Sequence, residues 1–301
     1  MWIGRNRKAR VTYGFDEIAL VPGAVTINPN EVDTSFEIPC PGGREPLKLK
    51  IPIIASAMDG VTNVRFCVEM ARLGGLGVVN LEGVQTRYDD PEEALAQIVK
   101  ADKGSVTEQI QKLYTQPIKE ELIARRVQEL RKGGGIVAVS SIPQKAERFA
   151  AIAEEAGADV FVVQSTVSTV RHISNEYKSL DLAAFTKASR IPIIIGNAVT
   201  FDVVVELMEN GVSGVLIGVG PGAACTSRGV LGLGVPQVTA TVDCAAARDA
   251  FFKKTGRYIP IITDGGMSKG GDVCKALACG SDAVMVGSAF ARAEEAPGRG
   301  H

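Results

Sequence analysis

The sequence predicts an α/β fold, a single-domain (β/α)8 or TIM barrel. Three observations predict it: eight short apolar, β-branched runs, helix-like segments between them, and a length of 301 residues. Runs that are apolar throughout suit strands covered on both faces, as in a parallel sheet with helices outside it. Eight strand–helix units in series occupy about 250 residues in a closed barrel. An open doubly wound sheet uses the same alternation and is the competing arrangement.

In order, the runs are IPIIASA (51–57), LGVVN (76–80), IVAVSS (136–141), VFVVQS (160–165), IPIIIGN (191–197), GVLIGVG (214–220), IPIITDGG (259–266) and AVMVGS (283–288). Segments such as KAERFAAIAEEAGA (145–158), FDVVVELMENG (201–211) and GDVCKALACG (271–280) place apolar residues at helical spacing and close on glycine, as crossover helices do. Residues 1–50, rich in Pro, Gly and Asn, predict an N-terminal cap or hairpin over one barrel end, so the barrel itself is expected over 51–301. Residues 84–135 form one extended connection, charged and helical in its second half (KEELIARRVQELRK), and too short for a second domain. There is no tandem repeat of solenoid length.

Composition excludes several function classes. A net charge of −1, without a basic stripe interleaved with aromatics, gives nucleic acid no electrostatic footprint. The opening MWIGRNRKARVTYGFDE is broken by charges, and no run reaches the roughly 20 apolar residues of a membrane span, so a cytoplasmic protein with no membrane partner is expected. Cys40, Cys67, Cys225, Cys244, Cys274 and Cys279 lack CxxC spacing and are expected to be thiols. His172 and His301 are the only two histidines, which leaves a histidine-rich metal site or a Ser-His-Asp triad hard to assemble.

In a barrel the site is built just after each strand, at the carboxyl ends. Small or polar residues crowd those positions: Ser56-Ala57-Met58-Asp59-Gly60, Gln164-Ser165-Thr166, Gly196-Asn197, Asp264-Gly265-Gly266 and Gly287-Ser288. Gly265, Gly266, Gly287 and Ser288 suit a phosphate cradle of backbone N–H groups, and equally suit plain strand termination. Asp264 is an acceptor for ribose hydroxyls or the start of an Asx turn. After the sixth run comes GVGPGAACTSR (218–228). Its Gly218, Gly220 and Ala223 satisfy a dinucleotide fingerprint on paper, but Asp243, the acid at the matching distance, falls in an apparent helix. Such a loop can also turn carbonyls inward around a monovalent cation while presenting Cys225, either as a nucleophile or as a small buried apolar residue.

GVGPGAACTSRGVLGLGVPQ (218–237) resembles the catalytic loop of the IMP dehydrogenase and GMP reductase family. VTYGFDEIALVPG, IPIIASAMDGVT, IGNAVT, DGGMSKGGDVCKALACGSDAVMVGS and EAPG follow in that family's order, so the resemblance spans nearly the whole chain. It implies the (β/α)8 barrel and a chemistry in which the loop cysteine attacks C2 of the purine of IMP, hydride passes to NAD, and the covalent intermediate is hydrolysed. On this chain it implies Cys225 as nucleophile and Ser227 where the family usually has threonine. Ser56, Met58, Gly222, Asp264, Gly265, Gly266, Gly287 and Ser288 would then bind the substrate, and Gln164, Ser165, Asn197 and Gly218 the cofactor. Carbonyls of Gly220, Gly222 and Cys225 would hold K+, and a homotetramer, or a paired octamer, would assemble.

The chain also departs from the family's pattern. The paired CBS module does not fit in 84–135, so the resemblance is to the CBS-less, IMP-dehydrogenase-like branch. Ala223 replaces a serine that commonly contacts phosphate, removing a donor worth about 0.5–1.5 kcal/mol. Gln164 stands where dehydrogenases usually place an aspartate on the nicotinamide ribose, and Leu216 where some carry arginine. The segment that carries the family's mobile flap and its water-activating arginine is absent from the chain, which closes on EAPGRGH. The sequence is then either a fragment of a longer protein or one that hydrolyses the intermediate differently. Oxidation of IMP to XMP with NAD is the leading expectation. GMP reduction with NADPH uses the same nucleophile, and a catalytically idle purine-nucleotide-binding paralogue is the reading from another class.

Overall fold

The computed structural model describes residues 1–298; residues 299–301, where the expected barrel range ends, lie outside the described residues. Ahead of the barrel, β1 (Trp2–Gly4) pairs antiparallel with β2 (Arg7–Lys8), and β3 (Phe36–Ile38) with β4 (Leu47–Leu49). Eight parallel strands then close on themselves: β5 (Ile53–Ala55), β6 (Leu76–Asn80), β7 (Ala138–Ser141), β8 (Val160–Gln164), β9 (Ile193–Ala198), β10 (Gly214–Ile217), β11 (Ile261–Asp264) and β12 (Ala283–Val286). The last pairs with the first through Val284–Ile53, Met285–Ile54 and Val286–Ala55, so the sheet has no free edge. The chain therefore folds as a (β/α)8 TIM barrel with no CBS insertion, and the open doubly wound alternative is set aside. Each expected run holds one barrel strand, with β9 continuing one residue past its run to Ala198. Most runs extend past their strands because their small and polar ends, such as Gly265 and Gly266, leave the sheet to form the mouth.

Alternation along the strands sorts the core into two layers. Ile54, Val78, Val160, Val162, Ile194, Leu216, Ile262 and Met285 fill the barrel interior, which Phe36, Ile38 and Leu49 of the β3–β4 hairpin close off. Val79, Val139, Phe161, Val163, Ile195, Val215 and Ile217 point outward into the helical layer. Side chains of this size contribute about 1.5–3 kcal/mol each when fully buried. Leu216 belongs to the inner layer, fully buried, and the cavity described below does not reach it.

The helices are α1 (Val64–Arg72), α2 (Pro91–Lys100), α3 (Val106–Tyr114), α4 (Glu120–Lys132), α5 (Pro143–Ala156), α6 (Leu182–Ala188), α7 (Phe201–Glu209), α8 (Ser227–Leu231), α9 (Gln237–Thr255) and α10 (Gly270–Ala278). α5 starts on Pro143, whose fixed φ suits a first helical turn, and stops at Gly157, whose φ of 103° is left-handed. None of the helices among the described residues is long and apolar enough to cross a membrane.

Two expectations need correction. The connection 84–135 is helical in its first half as well as its second. Asp90 caps α2, accepting from the Glu92 and Glu93 amides with Pro91 at the first position, and Ala94 and Leu95 pack against Leu113 of α3 and Val84. Asp59, placed at the mouth with its neighbours Ser56 and Met58, instead turns inward and is buried. Its Oδ2 accepts from the Val84 amide at 2.9 Å and from the Tyr114 hydroxyl. These two donors meet one oxygen only, and Oδ1 is buried with no partner among the described residues.

Candidate functional site

A cavity of about 490 Å³ opens at the carboxyl ends of the strands, and every residue to which the resemblance assigns a catalytic, substrate, cofactor or ion role lines it, whereas Asp59 and Leu216 do not. Ser56 and Met58 enter from β5, Gln164 and Ser165 from β8, and Asn197 from β9. Gly218, Gly220, Gly222, Cys225 and Ser227 come from β10 and its loop, Asp264, Gly265 and Gly266 from β11, and Gly287 and Ser288 from β12. Sequence reasoning missed Arg292, on the short 3-10 turn Phe290–Arg292, along with Met267 and Ser268. Met267 and Ser268 stand within the quoted DGGMS string and could have been read by extending the strand-end rule. Arg292 lies four residues beyond the eighth run, and nothing in its local pattern turns it toward the mouth.

The loop after β10 is held from below. Gln237, at the start of α9 and almost fully buried, donates through Nε2 to the Ile217 carbonyl at 2.6 Å and to the Asp264 carbonyl at 3.2 Å. Its Oε1 is buried with no hydrogen-bond partner among the described residues. Gly218 has a φ of 142°, and a Cβ there would lie 2.5 Å from the Asp264 carbonyl oxygen, so only glycine lets the chain turn at this point. The turn carries Cys225 to the exposed side of the cavity.

Cys225 Sγ lies 3.3 Å from Ser227 Oγ. That hydroxyl, which can turn to donate to a thiolate, is the main cause holding the Cys225 pKa below the ordinary thiol value. The Ser227 and Gly220 backbone groups and the Arg228 charge lower it further, against slight burial. Burial works the other way on Cys244, pushed up to about 12, on Cys67, and on the half-buried Cys279. The Gly222 carbonyl accepts the Cys225 amide at 3.0 Å, which occupies one of its two lone pairs.

Asp264 is the cavity's carboxylate. Its Oδ2 accepts from Asn197 Nδ2 at 2.8 Å and from Gln164 Nε2 at 3.0 Å, and Gln164 Nε2 also reaches Asn197 Oδ1 at 3.4 Å. Burial pushes the carboxyl up to about 6, and the two amide bonds oppose that rise by favouring the charged form. Directly after Asp264 in the chain, Gly265 and Gly266 are successive left-handed residues with φ of 82° and 79°. A Cβ on Gly287 would come within 3.4 Å of both Met58 Sδ and Ser56 Oγ. These glycines leave an open floor of main chain beside Ser288. Arg292 is the one formally cationic side chain among the lining residues, and it has no ion-pair or hydrogen-bond partner among the described residues. A second, smaller cavity of about 140 Å³ adjoins through Ser165, which lines both.

The site thus joins an activated thiol, an acceptor carboxylate and an anion-suited floor, and the comparisons with known proteins agree with that combination. The profile of the IMP dehydrogenase / GMP reductase domain matches residues 12–301. The chain belongs to the IMP dehydrogenase / GMP reductase family. Within that family it is 34% identical to an uncharacterized oxidoreductase of Mycolicibacterium smegmatis, over 99% of this chain and 80% of the relative. It is also 34% identical to the inosine-5'-monophosphate dehydrogenase of Cryptosporidium parvum, over 94% of this chain and 69% of the relative. The crystal structure of an IMP dehydrogenase/GMP reductase-like protein from Corynebacterium glutamicum superposes with a TM-score of 0.91 at 36% identity, covering 100% of this chain and 78% of that one. Family and relatives make the chain an oxidoreductase.

Proposed function

We propose that the protein oxidises IMP to XMP with NAD through a thiol adduct at Cys225. The observation that carries this reading is the exposed Cys225, with its lowered pKa, in the same cavity as Asp264 and the glycine floor. The phosphate of the nucleotide sits on Gly265, Gly266, Gly287 and Ser288, with Arg292 supplying positive charge where Ala223 brings no hydroxyl. Asp264 accepts from the ribose hydroxyls, and Met58 and Gly222 flank the base.

The Cys225 thiolate adds to C2 of the purine, and the C–H electron pair leaves toward the cofactor. Bound NAD supplies the hydride acceptor. Ser227 Oγ stabilises the thiolate before attack and the sulfur as it departs when water cleaves the adduct. On the cofactor side, Ser165, Asn197, Gly218 and the free Oε1 of Gln164 face the nicotinamide half. K+ would be held by carbonyls of Gly220, Gly222 and Cys225, and the lone pair left on the Gly222 oxygen suits it; the ion would order the loop that carries the thiol. The working enzyme is a homotetramer.

The test is NADH formation from IMP and NAD in potassium buffer, with mass spectrometry of Cys225 after quenching. NADH together with an IMP-derived adduct on Cys225 is expected. Turnover of GMP with NADPH in its place assigns the reductase reaction. Nucleotide binding with neither turnover nor adduct leaves a non-catalytic binding protein and overturns the proposal.

A further inference from the structure

We infer that Gln164 is a positioning residue for the substrate: it holds the Asp264 carboxylate in place for the ribose of the bound nucleotide. This rests on the proposed reading of the cavity as a purine-nucleotide site and departs from a purely cofactor-facing role for Gln164.

The geometry assigns the amide's donors. Gln164 Nε2 carries two hydrogens; one lies toward Asp264 Oδ2 at 3.0 Å and the other toward Asn197 Oδ1 at 3.4 Å. Asn197 Nδ2 donates to the same Asp264 oxygen at 2.8 Å. The three side chains form a closed ring in which Oδ2 receives both amides and Oδ1 is left to accept from a ligand hydroxyl. Both donors of Gln164 are used inside the ring, and its Oε1 alone remains to meet anything on the cofactor side.

The chemistry explains why an amide stands here. A glutamate in place of Gln164 would set its carboxylate about 3 Å from Asp264, and two like charges at that distance do not both stay ionised; the aspartate that dehydrogenases of the family usually carry there is one methylene shorter. A neutral donor at the same place keeps Asp264 charged and fixes which of its oxygens faces the ribose. Gln164 thereby ties the nucleotide side of the cavity to the cofactor side, and its replacement disturbs nucleotide binding even with no cofactor present.

The experiment measures IMP and GMP affinity by calorimetry in the absence of any dinucleotide, for wild type, Gln164→Leu and Gln164→Glu, from about pH 5 to about pH 8. Gln164→Leu is expected to weaken nucleotide binding about fivefold or more and to move its pH midpoint upward, because one donor to the charged form is gone. Gln164→Glu keeps shape and polarity and is expected to move the midpoint further in the same direction. With the 2′-deoxy nucleotide the Gln164→Leu loss should shrink. A structural role alone would move neither the pH midpoint nor the deoxy comparison. Wild-type binding that Gln164→Leu and Gln164→Glu leave unchanged overturns the inference and leaves the site reading intact. A wild-type protein that binds neither nucleotide overturns the site reading and the inference together.

Discussion

The Tyr114 hydroxyl, at the end of α3, donates to the buried carboxylate of Asp59 just beyond β5, so the long connection 84–135 is pinned to the first barrel loop. Burial outweighs this bond and the Val84 amide and holds the Asp59 carboxyl above its ordinary value. A carboxyl raised in the folded state binds its proton more tightly folded than unfolded. Its contribution to stability therefore falls as pH rises from the ordinary value through the folded one. Tyr114→Phe removes a donor to the charged form and should destabilise by about 1–3 kcal/mol in urea unfolding, with a larger loss where the Asp59 carboxyl is ionised than where it is protonated. A loss that stays constant across the whole titration of the carboxyl would contradict the assignment.

Cys225 should be the fast-reacting thiol. Alkylation by iodoacetamide, followed by peptide mass spectrometry, should label it ahead of Cys67 and Cys244, with a pH midpoint below that of an ordinary thiol. Ser227→Ala should move that midpoint upward, since Ser227 is the largest cause of the depression. Cys225→Ala should abolish the nucleotide adduct while nucleotide binding persists.

Arg292→Met should weaken binding of a nucleoside monophosphate by about tenfold or more, as expected for loss of a charge-assisted contact. Binding of the nucleoside without phosphate should change little. Comparable losses for both ligands would place Arg292 away from the phosphate.

Lowering pH through about 6 should weaken nucleotide binding as Asp264 takes up its proton and loses acceptor capacity toward the ribose. Asp264→Asn should bind more weakly at neutral pH and flatten that dependence. Persistence of the wild-type pH profile in the variant would assign the titration to another group.

Gly218→Ala should be among the more disruptive changes in the loop, because it combines left-handed strain with a Cβ against the Asp264 carbonyl. The loss is expected at about 1–3 kcal/mol by denaturant unfolding. A wild-type unfolding midpoint would show that the loop can re-form around the methyl.

Residues just past each apolar run could be placed in the site from sequence because barrel topology sends every strand end to one rim. Asp264 and Gly287 needed only that rule and the count of eight, whereas Cys225, five residues past its run and equally suited to a small buried role, needed the resemblance of its loop. Contacts set by distant packing were not legible. Asp59 meets a tyrosine from a separate helix, and the partner of Gln164 emerges only once β8, β9 and β11 are in register around the closed sheet. Arg292 reaches the cavity through a short irregular turn, which carries no periodicity to read. The helix α2 was legible in principle, since Asp90-Pro91 followed by two glutamates is a start signal.

Asp264 and Asn197 belong to strands that are not hydrogen-bonded to each other, since β10 runs between them. Their side chains, with Gln164, bridge over the end of that strand, where Gly218 contributes no side chain to obstruct them. No residue of the thiol-bearing loop takes part in this side-chain bridge, and the two meet below it, where Gln237 donates to the Ile217 and Asp264 carbonyls. Under the proposed function, substitutions in the bridge should act on the sugar and substitutions in the loop on the thiol chemistry, whereas replacing Gln237 should disturb both at once.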